Sequence, residues 1–192
     1  GNIIRHNRFH DITGWAIRFD DLSSGTVTQG NVFYDTAGIL VGGGRNHRIT
    51  NNIFVDCTPA INVDARGMSE TDDAKQLLSK MHASFDARNP LDPPYAIRYP
   101  ELKEVAAYYF HELGVPPEAN LINRNICLGT WIDVDEPNTR KMLALQNNFL
   151  DDDPGFADLT SRNLHLPENA EVYELGFKPI PLDDIGKTQN QD

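Results

Sequence analysis

The sequence predicts an all-β protein: a right-handed parallel β-helix, a solenoid of about five rungs, with an inserted α-helical hairpin. Two observations lead to this fold class. An Asn followed two residues later by an apolar residue recurs along the chain every 21 to 24 residues. Between these copies recurs a second short segment, in which apolar residues alternate with polar or small ones. Such repeats stack on one another and bury a continuous core.

The first repeat predicts the corners of the rungs. Its asparagines are Asn7, Asn31 and Asn52, which lie 24 and 21 residues apart, and then Asn125 and Asn148, 23 residues apart. Asn tolerates bent backbone and can hydrogen-bond to its neighbours above and below, so we expect an asparagine ladder. A leucine-rich solenoid has a similar period, but its Leu-x-x-Leu-x-Leu spacing is missing here.

The second repeat predicts a strand with one buried face. Its copies are residues 16–20, 38–42, 60–64 and 131–135, and the first three are spaced by 22 residues. Side chains alternate between the two faces of a strand. If Ile17 and Phe19 point to the core, the equivalent of Arg18 and Asp20 in every copy should face outward.

A long interruption separates Asn52 from Asn125, which are 73 residues apart. Within it, residues 69–81 and 100–113 are predicted to form helices, the first capped by Ser69. We therefore divide the chain into segments as follows: β-helix rungs (1–67), a helical insertion in the same domain (68–121), final rungs and an irregular cap (122–182), and a flexible tail (183–192).

Composition restricts the partners. A chain of 192 residues with net charge −11 fits one domain and should repel nucleic acids, whose phosphates need a basic surface. It contains no run of 18 apolar residues, so we expect no membrane contact. Cys57 and Cys127 are expected to be core thiols or to form one disulfide. The residues Asn2–Ile4 would lie inside a rung, so we expect further N-terminal rungs or domains.

Candidate catalytic residues come from the outward positions of the second repeat. Asp20, Gly42, Asp64 and Asp135 are predicted to form a column. With strands about 4.8 Å apart, Asp64 and Asp135 would be about 5 Å apart and Asp20 and Asp64 about 10 Å. Carboxylates about 5–5.5 Å apart suit a retaining glycosidase, and about 6.5–9.5 Å an inverting one. The alternatives are cation or sugar binding, or a merely solvated surface.

Candidate substrate-binding residues surround this column. Arg18 and Arg66 could bind sugar hydroxyls or pair with the acids, and Asn62 and Asp133 share the outward face. Trp131 could stack on a pyranose ring or pack in the core. Gly42 should leave an open notch, and the inserted hairpin should form a wall beside the column. The sequence shows no metal-binding motif, and a structural calcium ion is the one open alternative to a protein without cofactors.

Several segments resemble the bacterial right-handed parallel β-helix repeat proteins, which include glycoside hydrolases of α-L-fucosidase and xylanase type. These segments are Phe19–Gly25, Gly30–Tyr34, Gly42–Arg45, Asn51–Cys57 and Asp64–Gly67, with a closing region at Asn148–Phe149, Asp153–Phe156 and Leu175–Phe177.

The resemblance implies an extracellular or periplasmic glycoside hydrolase, or the C-terminal part of one, acting on a plant-type polysaccharide. It selects Asp20, Asp21 and Asp64 as the first positions to test, with Asp135 as the further carboxylate from the column. The alternative is a non-catalytic carbohydrate-binding module. A polysaccharide lyase is less consistent with the acidic surface, because its substrate is a polyanion.

Overall fold

The computed structural model describes residues 1–100, 102–103, 114–135, 137–150 and 152–185. Within them the strands form two sheets, and all strand pairs are parallel. The five-stranded sheet contains, in spatial order, β1 (Ile3–Arg5), β3 (Val27–Gln29), β5 (Arg48–Thr50), β8 (Asn120–Asn123) and β11 (Leu143–Gln146). The seven-stranded sheet runs β10 (Ile132–Val134), β7 (Ile61–Asp64), β4 (Val32–Gly42), β6 (Ile53–Cys57), β9 (Ile126–Gly129) and β12 (Phe149–Leu150), while β2 (Arg8–Phe19) pairs with β4.

Strands that are one repeat apart in the sequence are neighbours in a sheet. Ile4 pairs with Thr28, Thr28 with Ile49, and Ile122 with Leu145. Ile49 also pairs directly with Ile122, although 73 residues separate them. The long segment between β7 and β8 therefore leaves the sheets without disturbing their register.

The asparagines of the first repeat hydrogen-bond in series. Each of Asn7, Asn31, Asn52 and Asn125 donates its backbone N–H and its side-chain Nδ2 to Oδ1 of the next asparagine, at 3.0 to 3.1 Å. The series ends at Asn148. The residue before each of these asparagines has a left-handed backbone, with φ between 53° and 65°: His6, Gly30, Asn51, Arg124 and Asn147.

The fold-class prediction is wrong. The described residues form parallel sheets, one of them curled as a half-barrel, together with helices, which is an α/β-like arrangement rather than an all-β right-handed parallel β-helix solenoid. The physical reason lies in β2 and β4, which have 12 and 11 residues. Each begins directly after a predicted corner asparagine and continues into the strand predicted from the second repeat, so β4 pairs with both β6 and β7 and the sheet curls around the core.

The core lies between the sheets. Ile39, Ile61 and Ile122 are fully buried there, and the rings of Phe9, Phe33 and Phe54 stack with centroids 5.0 and 4.6 Å apart. A second apolar cluster covers the outer face of the half-barrel sheet. There, residues of the C-terminal segment pack on those of the strands: Phe156, Leu164, Val172 and Phe177 on Val32, Ile53, Val55 and Ile126. The C-terminal part of the segment predicted as final rungs and an irregular cap (122–182) therefore covers the outer face of this sheet.

Both cysteines belong to the core. Cys57 and Cys127 are each 1% exposed, and the structure has no disulfide between them. Burial raises the pKa of the Cys57 thiol to about 12. Of the two alternatives for the cysteines, the structure shows buried thiols.

The described helices are α1 (Asp72–Arg88), α2 (Tyr95–Arg98) and α3 (Pro137–Arg140), with short 3-10 turns at Arg66–Met68, Glu171–Tyr173 and Leu182–Asp184. The first helix was predicted at 69–81 with Ser69 as its cap. Instead Thr71 caps it, accepting a hydrogen bond from the N–H of Ala74, and the helix continues to Arg88. The helix predicted at 100–113 lies largely outside the described residues, as does most of the predicted tail. None of the described helices is long and apolar enough to cross a bilayer.

Candidate functional site

The predicted acidic residues lie along one outward face of the half-barrel sheet. In β7, Ile61 and Val63 point into the core and are fully buried. Asn62 therefore faces outward, opposite Asp133 of β10, and Asp64 lies opposite Gly42 of β4. The neighbouring ends of β2 and β10 add Asp20 and Asp135, so the four positions of the predicted column do follow one another across the sheet.

Arg66 is the centre of this face. Its Nε lies 3.0 and 2.9 Å from the two carboxylate oxygens of Asp64, and its Nη2 lies 2.6 Å from Oδ2. Its Nη1 donates to Oδ1 of Asp20 at 2.6 Å and contacts Asp21 at 3.4 Å. One guanidinium thus joins three of the predicted catalytic carboxylates. Arg18 adds a hydrogen bond to Oδ2 of Asp20 at 2.7 Å.

The notch predicted at Gly42 is occupied by this guanidinium. A Cβ at Gly42 would lie 2.8 Å from Cζ and 3.1 Å from Nε of Arg66. A Cβ at Gly43 would similarly lie 2.9 Å from Cγ of Arg66. The two glycines therefore make room for Arg66 to lie flat over β4 and bridge the strands on both sides.

The network shifts the pKa values of Asp20 and Arg66. Desolvation opposes ionisation of Asp20, but the hydrogen bond from Arg66 and the charges of Arg18 and Arg66 outweigh it and lower the pKa of this carboxyl. The hydrogen bonds and charges of Asp64 and Asp20 raise the pKa of Arg66. Asp20 is consequently ionised at neutral pH. A general acid needs the opposite shift, which argues against that role for Asp20.

The far side of the face is more open. Nδ2 of Asn62 lies 3.4 Å from Oδ2 of Asp133 and 3.4 Å from Oδ1 of Asp135, which are long distances for hydrogen bonds. Asn62 is buried, whereas Asp133 and Asp135 are exposed. Among the described contacts, no arginine hydrogen-bonds to either of these two carboxylates of the outward face.

A cleft of about 690 Å³ separates this face from α1. Asp73, Gln76, Leu77 and Lys80 project into it from the helix, at the i, i+3, i+4 and i+7 positions that share one face of a helix. Ala74 of α1 also lines the cleft, and the sheet side and the connecting segment contribute the remaining lining residues: Asp21, Asp64, Ala65, Arg66, Met68, Ser69, Thr71 and Asp135. The inserted hairpin was expected to form a wall beside the column; α1, its described helix, lines one side of the cleft, but the individual helix residues were not identified. Their helical spacing was the signal in the sequence.

Of the five predicted substrate-binding residues, Arg66 lines the cleft, whereas Arg18, Asn62, Trp131 and Asp133 do not. Trp131 is partly buried and packs against the core, with its ring edge-on to Phe54 at a centroid distance of 6.4 Å. Arg18 contacts Asp20 but is not among the residues lining the cleft. Among the described residues, no group of three or more His, Cys, Asp or Glu side chains is placed to hold a metal ion.

Comparison of the chain with protein-family models, with curated proteins and with solved structures found no match.

Proposed function

We propose that the protein binds a neutral carbohydrate chain in the cleft between the acidic face and α1. The observation that carries this proposal is the cleft itself: a groove of about 690 Å³ in which a partly buried ion-pair network holds charged groups in fixed positions. Fixed hydrogen-bonding groups lose little entropy when a ligand binds.

The lining favours a polyhydroxylated ligand. It is mainly polar, and no aromatic side chain is present among the described lining residues, so recognition depends on hydrogen bonds rather than ring stacking. It contains four carboxylates and two cationic side chains, Arg66 and Lys80. This excess of negative charge disfavours acidic polysaccharides and leaves neutral ones. Asp135 and Lys80, on opposite walls, are the groups best placed to bind hydroxyls.

A plant-type polysaccharide and an extracellular or periplasmic location belong to the same proposal. They come from the sequence resemblance to carbohydrate-active proteins, and the acidic net charge of −11 is consistent with them.

Glycoside hydrolysis is the second candidate function. The observation that favours it is that Asp64 and Asp135 lie on neighbouring strands and line the same cleft. At about 4.8 Å between strands, this placement resembles the carboxylate pair of a retaining enzyme. However, Arg66 occupies both oxygens of Asp64, and a nucleophile would need one of them free. Binding without hydrolysis is therefore the preferred proposal.

The test is calorimetry with neutral xylan-, glucan- and mannan-derived oligosaccharides, combined with an assay for released reducing sugar. We expect binding without product release, and about tenfold weaker binding for Asp135→Asn and Lys80→Gln. Asp152→Asn, an exposed acid outside the cleft, is the matched control and should bind like the wild type.

Two outcomes would change the proposal. Sugar release that disappears in both Asp64→Asn and Asp135→Asn would establish the hydrolase instead. If none of the neutral oligosaccharides binds, or if the control weakens binding as much as the cleft variants, the carbohydrate cleft is refuted.

A further inference from the structure

A second groove lies along the row of left-handed turn residues, outside the cleft described above. It has a volume of about 300 Å³, and its lining includes His6, Gly30, Thr50, Asn51, Arg124 and Lys178. These residues come from successive repeats and from the C-terminal segment. The groove is near the lower end of the range of about 300–1,000 Å³ that is typical of small-molecule sites.

Both residues that carry the strong cations of the groove are anchored, Lys178 through its main chain and Arg124 through its side chain. Asn51 clamps the main chain of Lys178: its Nδ2 donates to the carbonyl of Lys178 at 2.9 Å, and its Oδ1 accepts from the N–H at 2.6 Å. Nη2 of Arg124 donates to Oγ1 of Thr50 at 3.2 Å. The stem of Arg124 lies against Gly176, where a Cβ would be 3.3 Å from its Cδ. The chain therefore positions both residues by contacts other than an ion pair.

Two buried side-chain atoms beside the groove have no hydrogen-bond partner among the described residues. Nε of Arg124 is buried and has no hydrogen-bond partner among the described residues, and the same is true of Oδ1 of the adjacent Asn123. A guanidinium carries five N–H donors, and the contact with Thr50 uses one. Buried polar groups are normally paired, so an unpaired donor beside a groove points to a bound acceptor.

The charge of the groove identifies that acceptor. No Asp or Glu is present among the described lining residues, although the whole chain has a net charge of −11. We propose that the groove binds the oxyanion group of a small molecule, a phosphate, sulfate or carboxylate, with Arg124 and Lys178 as its cationic ligands. Arg binds such planar or tetrahedral oxyanions through paired N–H donors, and Lys adds a point charge. This proposal does not depend on carbohydrate binding in the cleft.

The test is titration of the isotope-labelled protein, followed by NMR, with inorganic phosphate, sulfate and acetate in separate experiments at constant ionic strength. Glucose serves as the uncharged control. We expect saturable shifts of the amides of residues 50–51, 124 and 178, and the anion that binds most tightly distinguishes phosphate or sulfate from carboxylate ligands. Arg124→Gln should weaken binding about 10- to 100-fold, because it removes a hydrogen bond between charged groups.

Lys178→Gln keeps the main-chain contacts with Asn51 and tests the site even if Arg124→Gln fails to fold. Arg48→Gln is the matched control: Arg48 is an exposed arginine of β5 that does not line the groove, so binding should be unchanged. Non-saturating shifts for all three anions would overturn the proposal. So would an equal loss of affinity in Arg48→Gln and Lys178→Gln, which would indicate only diffuse charge attraction.

Discussion

Replacing Arg66 by Met should destabilise the protein more than any other single charge removal on the acidic face. The Met side chain keeps most of the aliphatic stem but leaves the carboxylates of Asp20 and Asp64 without their shared partner. The side chains of Arg66 and Asp64 are 30% and 11% exposed, so this pair is largely protected from solvent. That of Asp20 is 43% exposed, and its contact should contribute little.

The magnitude follows from these exposures. Hydrogen bonds to charged groups contribute about 1.5–3 kcal/mol each, and removing one partner of a fully buried pair costs about 3–5 kcal/mol. Because the pair is only partly buried, we expect Arg66→Met to lower the free energy of unfolding by about 2–3 kcal/mol at pH 7. Arg18→Met, which removes an exposed arginine that contacts Asp20 alone, should cost less than about 1 kcal/mol.

The pH dependence gives a second readout. The folded-state pKa of Asp20 is lowered below its ordinary value of 3.8, so its ion pairs stabilise the fold above that pH. This contribution is lost as the pH falls through the lowered folded-state pKa. Arg66→Met should therefore lose less stability than the wild type on acidification from pH 7 to below 3.8.

Urea unfolding of the wild type, Arg66→Met and Arg18→Met measures both effects. The reasoning is refuted if Arg66→Met is no less stable than Arg18→Met at pH 7, because Arg66 would then not be the centre of the network.

Three further predictions concern the core and the asparagine series. Asn52→Ala should lower the free energy of unfolding in urea by about 3 kcal/mol, because Asn52 is fully buried and accepts a hydrogen bond from the N–H of Asn31. Asn7→Ala, at the exposed end of the series, should lower it by about 1 kcal/mol. Phe33→Ala, in the middle of the ring stack, should cost about 3–5 kcal/mol in the same assay, and a loss below about 1 kcal/mol would contradict the packing. The Cys57 thiol, with its pKa raised to about 12, should react with a disulfide reagent at pH 8 only after unfolding; rapid labelling of the folded protein would show that it is accessible.

Local pattern was sufficient to predict which strands become neighbours. The spacing of Asn31 and Asn52 places their strands side by side, and the alternation around Ile61 and Val63 predicts that Asn62 and Asp64 face outward, as they do. Both follow from short-range geometry, because side-chain alternation and hydrogen bonding between equivalent residues depend on a few neighbouring positions.

The fold class could not be obtained in this way. Whether β2 and β4 break at a corner or continue depends on backbone geometry that the alternation pattern does not encode, and the β-bulge between Ile12 and Trp15 lets β2 continue. The alternation pattern also does not show that Val32 and Ile53 are buried on the outer face of the sheet. Only the packing of the C-terminal segment shows that they form a second buried face.

The sequence pattern predicted that the acidic residues share one face, but not how they interact. Asp20, Asp64 and Asp135 occur on the expected face, but Arg66 was considered only a flanking residue. Its central position depends on the turn after β7, which directs the guanidinium back over Gly42. The contribution of Lys80 depends on the docking of α1, a tertiary contact that no local pattern determines.

We propose that the cleft between the acidic face and α1 binds a neutral carbohydrate. The most direct measurement is NMR mapping of amide shifts in the labelled protein during titration with the tightest-binding neutral oligosaccharide. Perturbations should concentrate at residues 64–80 and 133–135, on both walls of the cleft. Shifts confined to other parts of the chain, with these residues unchanged, would contradict the claim.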